Sequence, residues 1–144
     1  MNIWLASAFI LLLLICSISD IKKRIIPNQL VILLLALGLL QSWLYFYLAD
    51  ALLGLLFPSL LLFLAKSKWD FYIGAGDIKL LSAIGIWVGW HANIYVLLAG
   101  GVLALIYAGI VSCLRPGQAS SIPFAPFLSA AAIAIYAGLV IQHL

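Results

Sequence analysis

The chain has 144 residues, 67% of them hydrophobic and 8% charged, with a net charge of +3 and a mean hydropathy of +1.29. These values exclude a water-facing globular surface, and the long runs of Leu, Ile, Val and Ala require an integral membrane protein. The basic excess does not indicate nucleic acid, because Lys and Arg lie in short loops between apolar runs, where anionic lipid headgroups are their neighbours.

Hydropathy predicts an all-α, polytopic fold with six transmembrane helices in a single domain over residues 1–144, at about 3–19, 28–48, 51–65, 78–90, 93–114 and 123–141. The first span reads as a retained helix and not a removed signal, since it has no basic segment before it and Cys16-Ser17-Ile18-Ser19 leads straight into Asp20. Pro27 is expected at the first position of the second helix, where no amide partner is needed. Pro58, in the middle of the third span, predicts a kink or tilt. Gly85 and Gly89 have the four-residue spacing of a close helix contact and should dock the fourth span on a neighbour. Cys16 and Cys113 read as small apolar residues buried between helices. With no Cys-x-x-Cys and only His91 and His143 besides, no metal site and no disulfide framework are expected.

Loops rich in Lys and Arg stay in the cytoplasm. Lys22, Lys23, Arg24, Lys66, Lys68, Lys79 and Arg115 all fall on one side of the predicted topology. The opposite connections, around Asp50 and around His91 to Asn93, have no basic residue and are bordered by Trp43, Tyr45, Tyr47, Trp87, Trp90 and Tyr95 as an interfacial belt. Both termini should therefore face outward, with Tyr136 near the outer interface. Asp20 and Asp77 then lie at the cytoplasmic ends of the first and fourth spans.

An ionisable residue inside a bilayer is costly and marks a functional site by default. Gly74-Ala75-Gly76-Asp77-Ile78-Lys79 places such a residue at the mouth of an apolar run. Glycines there allow unusual dihedrals and close approach of a substrate backbone. From spacing alone two readings stand: a catalytic carboxylate, or a loop entering a helix with Asp77 as its cap. Asp20 has the same two readings, since Lys22, Lys23 and Arg24 could simply offset a helix-end acid. Lys79 is expected to snorkel to the headgroups or to tune the pocket, and Asp70 is a solvated loop residue that could assist substrate binding. A pair of carboxylates sharing one proton can hydrolyse a peptide, the ionised one deprotonating water while the protonated one hydrogen-bonds the carbonyl.

At these residues the chain resembles the type IV prepilin peptidases, membrane aspartyl proteases with a Gly-x-Gly-Asp motif. The tetrad continues as Lys79-Leu80-Leu81-Ser82-Ala83-Ile84-Gly85 and ends Trp87-Val88-Gly89-Trp90; Asp20 with Pro27 and Asn28 matches the first aspartate motif; Ile122-Pro123-Phe124-Ala125-Pro126-Phe127 is similar to the start of the family's last helix. The resemblance implies an aspartic-type endopeptidase of the bacterial cytoplasmic membrane, with Asp20 and Asp77 catalytic. Gly74, Gly76, Lys79, Pro27 and Asn28 would shape the site or bind substrate. The implied substrate is the basic leader of a prepilin or pseudopilin, cut at the cytoplasmic face without a cofactor. Lacking the paired Cys-x-x-Cys motifs and cytoplasmic region of the larger bifunctional members, the chain is expected to be peptidase-only, similar to the small enzymes of Tad-type (Flp) pili.

The competing reading is a proton-coupled transporter or channel subunit in which the two membrane aspartates relay protons. A relay calls for acids at several depths, and here both lie toward one face.

Overall fold

A computed structural model describes residues 3–69, 74–114 and 122–142. Six helices follow in order: α1 (Ile3–Lys23), α2 (Asn28–Leu44), α3 (Leu48–Leu56), α4 (Ser59–Trp69), α5 (Ala75–Leu114) and α6 (Ala125–Gln142). Three stretches, Ile3–Lys23, Leu48–Lys68 and Ala75–Leu114, are long and apolar enough to cross a membrane, and α2 and α6 are shorter and equally apolar. Trp4, Leu11, Ile32, Leu60, Leu105 and Ile141 point outward, which in water would be ruinous and in lipid is the expected surface. The molecule is an all-α, multi-pass membrane protein.

The 40 residues of α5 would extend about 60 Å if straight, twice the roughly 30 Å hydrocarbon core. They do not run straight. Gly89 has φ 80° and ψ 170°, a backbone state that L side chains resist. The Asn93 amide donates to the Leu81 carbonyl at 3.2 Å, although twelve helical residues would separate them by about 18 Å. The chain therefore folds back at Gly89 into two arms, 75–88 and 90–114. The reversal was expected around His91 to Asn93; those residues are already helical, because glycine alone supplies the dihedrals the turn needs.

The expected break at Pro58 is present, dividing its span into α3 and α4. Phe57, before the proline, is extended at φ −76° and ψ 168°, as the steric demand of the ring requires. Gly54 of α3 lies so close to Gly85 of α5 that a Cβ on either would collide with the other's backbone. Both glycines of the predicted pair face α3, since a Cβ on Gly54 would also stand 2.9 Å from the Gly89 carbonyl carbon, and Gly89 makes the turn as well.

α5 is the hub, packing on α2, α3, α4 and α6, and α1 closes the bundle against α2 and α6. Phe9 stacks on Trp87 at 4.6 Å between centroids and meets Tyr136 at 4.7 Å. This corrects one expectation: the Trp87 side chain belongs to the core and not to a lipid-facing belt, and Tyr136 is buried beside it. The Trp87 indole donates to the Leu34 carbonyl at 2.9 Å and the Tyr136 hydroxyl to Gln41 Oε1 at 3.2 Å, so each buried polar tip is satisfied. Cys16 is buried as expected, whereas Cys113 is exposed on the lipid side of α5. Asp70, Arg115 and His143 lie outside the described residues.

Candidate active site

The site is assembled from three helix ends. α1 terminates at Lys23, and Arg24 takes a left-handed conformation at φ 52° while its amide still bonds the Asp20 carbonyl at 2.8 Å. Ile25 to Pro27 then leave the helix, Pro27 in extended form, and Ser19 Oγ secures the turn by donating to the Ile25 carbonyl at 3.1 Å. Pro27 is the N-cap of α2, with ψ 127°, and not its first helical residue as expected. Its carbonyl accepts the amides of Leu30 and Val31, so the proline still sits where a missing N–H costs nothing.

The second end is the start of α5. Gly74 is its cap, accepting the Asp77 amide at 3.1 Å, and Ala75 and Gly76 are already helical. The irregular entry expected up to Gly76 is therefore shorter, and Asp77 occupies the third helical position instead of capping from outside. A Cβ on Gly74 would stand 2.9 Å from Asp77 Oδ2, so the absence of a side chain there keeps that oxygen approachable. Gly76 packs on Ile26, the side chain that leads into Pro27.

The third end is the start of α6. The Ala125 amide donates to Asp20 Oδ2 at 3.2 Å, and Phe124 caps the helix by accepting Phe127 and Leu128. Pro126 falls within the first turn, where no carbonyl awaits its amide. The positive end of α6 is thus aimed at a carboxylate that is 7% exposed, a complementary pairing of dipole and charge.

These ends enclose two spaces that share Asp20, Arg24, Gly74 and Asp77 in their walls. The larger, about 610 Å³, is bounded by Asp20, Arg24, Gly74 and Asp77 at one end and by Leu62, Leu97, Gly101 and Ala104 along an apolar wall. The smaller, about 390 Å³, is lined by every residue singled out from the sequence: Asp20, Pro27, Asn28, Gly74, Gly76, Asp77 and Lys79, with Arg24 among them. Asp77 lies close enough to feel the charge of Asp20, and Asp20 that of Arg24. Lys79 does not simply snorkel: its Nζ donates to Asn28 Oδ1 at 3.2 Å, tying the two aspartate segments together.

Arg24 was read with Lys22 and Lys23 as a basic residue that could offset Asp20, and of the three it alone lines these two cavities. One contributor went unnoticed in the sequence. The Ala125 amide carries no side-chain signal; its trace is the proline-rich start of the last helix.

The profile of the type IV leader peptidase family matches residues 7–109. The chain belongs to this family. It is 36% identical over 122 residues to a prepilin leader peptidase/N-methyltransferase of Aeromonas salmonicida (strain A449), covering 78% of this chain and 41% of that one. A protein of the same description from Pectobacterium carotovorum subsp. carotovorum is 33% identical over 140 residues, 90% of this chain and 49% of the relative. One from Pseudomonas aeruginosa is 35% identical over 141 residues, 89% and 48%. The chain thus spans less than half the length of these curated relatives. No solved structure matches it.

Proposed function

We propose that this protein is an aspartic endopeptidase that removes the basic leader of type IV prepilins or pseudopilins, with Asp20 and Asp77 as its catalytic pair. The observation that carries the reading is that two acids from distant parts of the chain line the same pair of cavities at one end of the bundle. Asp20, fixed through Oδ2 by the Ala125 amide, keeps its other oxygen for the second carboxyl or a water. One carboxylate takes a proton from water as the hydroxide attacks the scissile carbonyl carbon, while the protonated partner hydrogen-bonds the carbonyl oxygen. Collapse of the tetrahedral intermediate breaks the C–N bond, and the leaving amine receives the proton.

The apolar wall of Leu62, Leu97 and Gly101 suits the hydrophobic helix that follows such a leader. Pro27, Asn28, Gly74, Gly76 and Lys79 shape the entry. The concentration of Lys and Arg at this end supports a cytoplasmic cleavage face in a bacterial inner membrane with both termini outside.

The test is co-expression with candidate prepilins, scoring leader removal on a gel. Wild type should process the substrate; Asp20→Asn and Asp77→Asn should leave it uncut while inserting normally. Processing at the wild-type rate by either variant ends the proposal. Proton flux in liposomes without cleavage would establish the relay instead.

A further inference from the structure

The bundle holds another built cavity, remote from the aspartate pair. It measures about 590 Å³ and is lined by Gln41, Tyr45, Tyr47, Asp50, Trp87 and Tyr136 with two aliphatic neighbours. Tyr45 and Tyr47 lie in the connection from α2 to α3, at the end of α2 opposite Asn28, so this space opens toward the other membrane face. The geometry points to a binding site here for an organic ammonium group.

Its chemistry is that of a cation receptor. Four aromatic side chains and one carboxylate surround the space, and no lysine or arginine lines it. Aromatic rings present a negative face to a cation, and the attraction grows when water is excluded. The walls are held in place: Tyr136 donates to Gln41 Oε1 at 3.2 Å, and Gln41 Nε2 donates to the Tyr47 oxygen at 2.8 Å. That chain of bonds fixes the amide's orientation and holds Tyr47 and Tyr136 in place, presenting ring faces and the Asp50 carboxylate to a ligand. Trp87 and Tyr136 stand edge to face at 6.1 Å and are anchored in the core by Phe9. An anion would meet the Asp50 carboxylate and the ring faces, which repel it, with no lysine or arginine in the lining to offset them. A neutral apolar ligand would strand the carboxylate without water.

An ammonium group can arrive on a lipid headgroup or on a small soluble amine. Trp43 in the last turn of α2 and Phe46 on the connection, 71% and 96% exposed, set the opening at headgroup level, where aromatic residues anchor. Both sources are separable by experiment.

The full chain, purified in detergent, is mixed with equal amounts of phosphatidylethanolamine and phosphatidylglycerol, and retained lipid is counted by native mass spectrometry. Wild type should retain the ethanolamine lipid by about thirtyfold over the glycerol lipid, the ratio a desolvated cation–π contact supplies. Asp50→Asn and Tyr45→Leu should abolish the preference, and Tyr45→Phe, which keeps the ring, should restore it. Because Asp50 lies against the Gly89 turn, the Tyr45 pair carries the test if Asp50→Asn loses helicity. Equal retention of both lipids combined with saturable binding of free ethanolamine that Tyr45→Leu removes would assign the site to a soluble amine. Equal retention with no ethanolamine binding, or a preference unchanged in both Asp50→Asn and Tyr45→Leu, overturns the proposal. Leader cleavage should be unchanged in Tyr45→Leu, so the outcome is independent of the aspartate assignment.

Discussion

Asn93 donates its side-chain amide to the carbonyl of Gly54 at 3.0 Å, and that carbonyl is the one deprived of its helical partner by Pro58, four residues on. The break between α3 and α4 is therefore repaired from another helix. The same amide reaches Leu81 in the other arm of α5, so one fully buried side chain joins α3 to both halves of the hairpin.

Removing it leaves the buried Gly54 carbonyl, which has no helical partner, short of a donor. Asn93→Ala should lower stability in detergent by about 1–3 kcal/mol, the cost of an unsatisfied buried polar group. Pro58→Ala restores an N–H to the Gly54 carbonyl, so the penalty of Asn93→Ala should shrink by at least about 0.5 kcal/mol in that background. Strict additivity of the two changes in thermal melts would show that the repair is not real.

Gly89→Ala should destabilise the hairpin by about 1–2 kcal/mol through the left-handed backbone alone. The new methyl would also strike the Asp50 carboxylate. Gly109→Ala, on a helical stretch with nothing within 4 Å of the added carbon, is the control and should be neutral or stabilising. Equal midpoints for the two variants would contradict the assigned turn.

Asp20→Asn retains an oxygen for the Ala125 amide, whereas Asp20→Leu does not. Both should lose leader cleavage by about 10²–10⁴-fold, the contribution of a positioned acid or base. Only Asp20→Leu should also loosen α6, which faster amide hydrogen exchange at its first turn would report. A fully active Asp20→Asn protein with an intact α6 would reduce this carboxylate to a structural cap.

Tyr47, in the connection outside the spans, gives a pH dependence. Burial pushes its phenol up to about 12, opposed by the Gln41 hydrogen bond and reinforced by the nearby Tyr136, Asp50 and Tyr45. The folded state therefore favours the neutral phenol. Its contribution is complete below the unfolded value of 10.0 and fades as pH rises from there through the folded value of about 12. The melting temperature in detergent should fall between about pH 10 and pH 12, and fall less in Tyr47→Phe. An identical decline in both proteins would remove Tyr47 from the explanation.

The apolar spans, the two aspartates and their convergence at one end were legible because hydropathy and basic-loop placement act residue by residue. What packs inside was not. In a bilayer both the lipid and the protein interior are apolar, so a helix such as α5 carries no contrast between its inner and outer faces. Trp87 accordingly read as an interfacial anchor although it fills the core, and Cys113 read as buried although it faces out. Asn93 was the visible exception, a polar residue at the edge of an apolar run, but its two acceptors are backbone carbonyls that no side-chain pattern records. The cap at Gly74 and the left-handed Arg24 depend on dihedrals, which residue type constrains only loosely.

The bond between Asp20 and Ala125 joins residues 105 positions apart. A nascent chain carries both acids well before the ribosome reaches the segment that anchors the first of them. Assembly of the cleft is consequently a late event in biosynthesis, and a truncated product ending after the α5 hairpin would hold the two carboxylates without the clamp that orients one of them.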